Sequence, residues 1–303
     1  LALGGNQTLA AVLGTGTVNL ASHTLTLASS ANLVYAGSLT GTGGLTKQGS
    51  GSLTLGGNYG YTGTTRVEAG TLALTGTLAS ATVQVAGGSL TLGSAERLAD
   101  TAALSVSAGA TFTAAGDETV ATLTNAGTLN GSGTLTAGSY TLNSGADVAL
   151  ALGAGSLDVA GSATLRAAKG AGTVTVQNGG GLTLATGADL ASSADVVIVT
   201  GGTLTLGADE SVNSLSAGGT LAGSGLTLTS ATPITLSSGG VLSANVSANT
   251  LNVTGNSTLN GSATVTTLAV NNGTLTLAAT NDRIADTANV SVAAGAVLAP
   301  AVN

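Results

Sequence analysis

Few side chains in this 303-residue sequence could do chemistry. A hydrolytic triad needs a general base beside its nucleophile, and the one histidine, His23, sits in ASHTLTLASS, where it reads as a surface turn residue. Carboxylates recur in pairs, Asp117-Glu118 and Asp209-Glu210. Neighbours on a strand point to opposite faces, so these pairs suit a solvated corner whose Asp caps local backbone N–H groups better than an acid/base couple. The alternative is weak calcium binding at Asp117 and Asp209, against which stands the lack of a tandem nine-residue Gly- and Asp-rich calcium repeat. Glu96, Arg97 and Asp100, echoed by Asp282, Arg283 and Asp286, read as an excursion loop with a local ion pair. A polysaccharide-degrading β-helix enzyme would need clustered Asp, Arg and Lys, and the sequence could draw only on Asp158, Arg166 and Lys169. No catalytic, cofactor-binding or metal-binding residue is assigned, no cofactor is expected, and the reading is of a protein that is not an enzyme.

The elements that would carry such residues follow from a narrow alphabet. Charged residues make up 6 %, with 6 basic and 13 acidic, aromatics 2 %, and there are 48 glycines but no Cys, Met or Trp. Such a chain is nonetheless 43 % hydrophobic with a mean hydropathy of +0.47, which excludes disorder by low hydrophobicity or high charge. Without a Lys/Arg cluster, and with only Tyr35, Tyr59, Tyr61, Tyr140 and Phe112 able to stack on bases, no nucleic-acid partner is expected. Thr, Ser or Gly interrupts every apolar stretch, so neither membrane insertion nor a signal peptide is read. Lack of cysteine excludes a disulfide scaffold and a Cys-zinc site, and accords with export in an unfolded state. The start at Leu1 reads as a fragment or a processed form.

Period-two alternation of Leu or Val with Thr or Ser marks strands at 24–27, 53–55, 71–74, 90–92, 134–136, 174–176, 182–184, 203–206 and 274–277. Residues 95–103 are the best helix candidate and lack helical period, so almost no helix is predicted. Two long stretches align at an offset of about 92 residues, with Leu90 matching Leu182, Leu98 matching Leu190, Asp117 matching Asp209 and Glu118 matching Glu210. Superrepeats therefore run over 83–173 and 174–267, with a partial third over 268–303. Short strands at roughly ten-residue intervals, with few large side chains, predict an all-β fold: one continuous parallel β-helix solenoid over 1–303. Coils of roughly 20 residues at 4.8 Å spacing make about 15 turns and a rod on the order of 70 Å. Gly87-Gly88, Gly179 to Gly181, Gly201-Gly202 and Gly218-Gly219 are expected to turn the corners at positive φ.

Residues 45–72, LTKQGSGSLTLGGNYGYTGTTRVEAGTL, resemble the autotransporter-associated β-strand repeat of bacterial passenger domains. The matching positions are Leu45, Lys47, Gly49, Gly51, Leu53, Leu55, Gly57, Tyr61, Thr62, Gly63, Thr65, Val67, Gly70 and Leu72; one departure is Tyr59, where the pattern usually has Asn, with Asn58 beside it. This stretch is about a tenth of the chain, and elsewhere the texture is similar to filamentous haemagglutinin-like adhesins. The resemblance implies a right-handed β-helix exported to the bacterial surface by type V secretion, with the membrane translocator not in this stretch.

On this reading the chain is a structural segment of a secreted or surface-anchored fibre or adhesin, a stiff stalk with an adhesive or self-associating surface. Its partners would be copies of itself or neighbouring cell-surface molecules. No cap is seen near Leu1 or Asn303, so continuing chain or head-to-tail copies are expected there. A second reading is an ice-binding solenoid through the Thr-x-Thr pairs at Thr24/Thr26, Thr122/Thr124, Thr134/Thr136, Thr203/Thr205 and Thr274/Thr276, which do not recur at one constant spacing. Eight Asn-x-Ser/Thr sequons, from Asn6 to Asn289, leave glycosylation open, and Asn is expected to stack in turns as hydrogen-bonded ladders.

Overall fold

The computed structural model describes residues 1–170, 172–279 and 282–300; Asn303, expected at an uncapped end, lies outside them. The described residues are all-β, with 38 short strands and no helix, and every strand pairing is parallel. Segment 95–103 is irregular until a strand starts at Ala103. The chain forms two compact units, Leu1–Thr141 with Gly145–Gly153 and Leu142–Ser144 with Ala154–Asn303. Each is a stack of solenoid coils.

In the first unit, Leu27, Lys47, Val67, Val85, Val106 and Asn125 stand one above another in the first ladder. Leu33, Leu53, Leu72, Leu90, Phe112, Leu129 and Val148 do the same in a second. A third, narrower ladder holds Val18 under Leu39, Tyr59 under Leu78, and a single bridge from Leu78 to Leu98. Three strand positions per turn enclose one aliphatic interior. In the second unit, Val159, Val176, Ile198, Ala217, Leu236, Val253 and Val270 form the first column. Ala163, Leu182, Leu204, Leu221, Leu242 and Leu259 form the second. Lys169 and Leu190, then Glu210, Leu228, Val246 and Ala263, belong to the third.

The alternation has a plain cause. Successive residues of a strand face opposite sides, so Leu53 and Leu55 enter the core, both fully buried, while Ser52 and Thr54 stay on the surface. Coil length is not constant: it runs from 17 residues, Phe112 to Leu129, to 23, Leu275 to Leu298, and the corners absorb the difference. All five aromatic rings are buried inside the coils rather than displayed.

Glycine serves the corners in two ways. Gly88, Gly179 and Gly201 take positive φ as expected, 64°, 76° and 83°. Gly87, Gly180, Gly181, Gly202, Gly218 and Gly219 do not; at Gly219 a side chain is excluded because a Cβ would lie 2.4 Å from the Gly202 carbonyl oxygen of the coil below. Gly88 meets both constraints, since its Cβ would stand 2.2 Å from the Gly70 oxygen. Gly88→Ala is therefore expected to lower stability by about 1–3 kcal/mol in denaturant unfolding, whereas the same change at open Gly179 is expected to cost less. Leu204, fully buried between Leu182 and Leu221, gives the sharper check: Leu204→Asp is expected to cost at least roughly 3 kcal/mol, and a variant melting like the parent would place this side chain outside.

Candidate functional site

The residues with chemical capacity do not converge. His23 occupies a corner, where its amide donates to Leu20 O at 2.8 Å and its carbonyl accepts from Gly44; its ring has neither a serine nor a carboxylate partner among the described residues. Asp158 points outward and accepts from Gln177 Nε2 of the next coil, and Arg166 is exposed. Lys169 points inward and is buried, its ammonium donating to Gly155 O at 3.0 Å and Gly170 O at 2.8 Å. Outer face and interior are thus divided among the three, and they do not line a common groove.

The acidic pairs differ from the expected solvated corner. Asp117 and Asp209 are exposed, but each caps the coil above rather than its own turn: Oδ1 accepts from the amide of Thr134 or of Thr227, both at 2.8 Å. Glu118 and Glu210 face inward, 1 % and 6 % exposed. Glu118 binds the coil below through two amides, Arg97 N to Oε2 and Leu98 N to Oε1, each 2.8 Å. Glu210 accepts from Leu190 N and Ser211 N on Oε1, both at 3.2 Å. Burial, opposed by these amides, pushes the Glu118 carboxyl up to about 7, with Glu96 and Asp100 adding to the rise. The same cause raises Glu210. Among the described residues no group of three His, Cys, Asp or Glu is placed to hold a metal ion. The ion pair expected at Glu96 and Arg97 gives way to Arg97 Nε donating to Ser94 Oγ at 2.8 Å. An ion pair does join Arg66 to Glu68, at 2.8 Å.

Among the described residues, several Asn side chains follow the Asp rule rather than stacking on one another as expected. Asn6, Asn32, Asn245 and Asn256 each present Oδ1 to an amide one coil on, in Thr24, Ser52, Ser262 and Thr274, at 2.9 to 3.0 Å. These side chains replace the backbone carbonyl that a corner fails to supply. Nothing local marks them, since the partner lies one coil away.

Hydroxyl columns are real but mixed. On the second face of the first unit Ser52, Thr71, Ser89, Thr111 and Thr128 align, beside Thr54, Ala73, Thr91, Thr113 and Asn130. Ser and Ala interrupt both threonine files. The five Thr-x-Thr pairs themselves are distributed over different faces: Thr26 and Thr124 belong to the first ladder, Thr203 and Thr205 to the second.

Residues 45–74 show what a repeat of this type is for. Leu45, Leu53, Leu55, Val67 and Leu72 are fully buried core residues. Lys47, 2 % exposed, occupies an inward column and ends in three carbonyls, Gln48 O and Gly49 O at 2.8 Å and Ala69 O at 3.2 Å, which ties one corner to the corner above; burial lowers its pKa. Thr65 is the one hydroxyl in its column, and Tyr61 Oη, 2.6 Å away, satisfies it inside the coil. Tyr59, in the place of the usual Asn, bonds Tyr35 O through its hydroxyl and packs its ring 6.2 Å from that of Tyr35, while Asn58 outside accepts from Thr77 Oγ1.

This coil combines an inward, carbonyl-bound lysine with left-handed glycines at Gly49 and Gly70. The sequence model of the passenger-associated-transport-repeat family matches residues 45–74, and with the parallel solenoid this fits an autotransporter passenger domain built of β-strand repeats. No curated protein and no solved structure gives a significant match to the chain.

The clamps can be weighed separately. Asn256→Ala removes one amide acceptor at an exposed corner and is expected to lower stability by about 1 kcal/mol with an unchanged circular dichroism spectrum. Lys47→Ala, which leaves three carbonyls facing a cavity, is expected to cost about 2–4 kcal/mol in the same measurement.

Proposed function

We propose that the chain is a non-catalytic stalk segment of a secreted or surface-anchored bacterial fibre, giving reach, stiffness and an adhesive or self-associating surface. The carrying observation is that the passenger repeat lies inside the ladder as one of its turns, its register continuous with the coils below and above. Stiffness follows from parallel backbone bonding along each stack. Adhesion follows from the outward columns, where Thr and Ser hydroxyls repeat coil after coil and weak contacts add by multivalency. Partners on this reading are further copies of the chain, side by side or head to tail, or molecules of a neighbouring cell surface. The passenger repeat supports a secreted or surface location. Against polysaccharide cleavage stands the separation of Asp158 outside from Lys169 inside.

Sedimentation over a wide concentration range, with binding to whole bacterial cells, tests the proposal. Association that grows with concentration and weakens in a Thr91→Asp, Thr113→Asp double variant is the expected result. A monomer at every concentration that also fails to bind cells would overturn it, and measurable thermal hysteresis would favour the ice-binding reading instead.

A further inference from the structure

Glu118 stands where the third ladder loses its backbone continuity. Leu78 bridges to Leu98 from below, and Leu78 N donates to Arg97 O at 2.8 Å. Above Leu98 the bonding passes to a side chain. Three consecutive amides of the excursion at 93–100 all donate to Asp117-Glu118: Glu96 N to the Asp117 carbonyl at 3.0 Å, then Arg97 N and Leu98 N to the two Glu118 carboxylate oxygens. Glu96 pays for this wrap with a left-handed backbone at φ 50°, rare for a residue with a Cβ.

The charges facing Glu118 are of its own sign. From the excursion come Glu96, which accepts from Thr119 Oγ1, and Asp100, and both disfavour its ionised form. Arg97 is the nearby cation, and its Nε is engaged by Ser94. Just before Glu118's strand, Asp117 faces outward to Thr134 N, and the coil above, Ser132 to Leu135, carries no charge. An ionised Glu118 is thus buried among acids, relieved by two amides; a neutral one escapes both burial cost and repulsion.

We propose that residues 93–100 form a proton-operated latch on the third face of the first unit, closed most firmly when Glu118 is protonated and loosened as it ionises. The sign follows from linkage: the closed form holds the proton more tightly than an open form in which Glu118 is solvated, so closure takes up a proton and alkali favours opening. The window runs from the ordinary value of 4.5 to about 7, the value in the closed form. Opening dismantles a shallow groove of about 350 Å³, one wall of which is Glu96, Leu98 and Ala99 against Tyr59 and Leu78. In the second unit Glu210 faces Asp189 in the matching place and its bonds are longer, so the same sign is expected there.

Amide hydrogen exchange of the full chain between pH 5 and 8, corrected for intrinsic exchange, reads the latch directly. Protection at Arg97 and Leu98 is expected to fall as pH rises, by up to about tenfold per pH unit below 7, while the ladder amides of Val83 and Val85 stay level. Glu118→Gln is expected to flatten that dependence. Asp100→Asn, which leaves the carboxylate and its amides in place, is expected to move the transition to lower pH, and it serves if the Gln variant does not fold. Protection at Arg97 and Leu98 that is level from pH 5 to 8 in the parent, or an unchanged slope in Glu118→Gln or an unmoved transition in Asp100→Asn, would overturn the proposal.

Discussion

The backbone hydrogen bond between one coil and the next is the constraint on which everything else in this chain depends. A parallel ladder sets neighbouring coils about 4.8 Å apart, so that each amide meets a carbonyl of the next coil, provided that successive turns keep the same path. Identical paths stack identical positions, so a residue that faces inward once must do so in every turn. That is why leucine lies over leucine from Leu53 to Leu90, and why a composition almost without aromatics still fills an interior. It also explains the glycines: where two corners approach within a carbonyl's reach, as at Gly202 and Gly219, no side chain fits between them.

Corners are where the ladder runs short of partners, and the polar residues collect there. Asn and Asp reach to the amide one coil on, Lys47 and Lys169 collect orphan carbonyls, and Glu118 and Glu210 collect orphan amides. Main-chain dipoles offset only part of the cost of burying these groups in their charged forms. The recurrence of the acidic pair after about 92 residues thus has an architectural cause, because the same corner defect recurs and takes the same repair.

Much of this was legible in the amino-acid order. Alternation at 53–55, 71–74 and 90–92 located strands because one face of each is buried, and the glycines at 88, 179 and 201 marked corners because glycine takes positive φ without a Cβ clash. The third ladder was not legible, since it passes through single bridges such as Leu98 and Lys169 that have no period to detect. Nor could the clamps be read. Asn32 finds Ser52 and Asn245 finds Ser262 across coils of 20 and 17 residues, and only the folded register says which amide lies above. Glu118 looked like a surface acid because its neighbour Asp117 is one; the strand's two-sidedness sends them to opposite sides of the wall.

The chain contains no cysteine, so introduced thiols report register without interference. Thr91 and Thr113 are outward neighbours on adjacent coils, and Asn130 lies one coil further along the same column. With cysteines at 91 and 113 the stacked-coil account predicts rapid disulfide formation under mild oxidation, because neighbouring strands bring their Cα atoms within about 5 Å. Cysteines at 91 and 130, two coils apart, should stay reduced. Efficient crosslinking of the second pair, or none of the first in a folded chain, would contradict the register on which the solenoid is built.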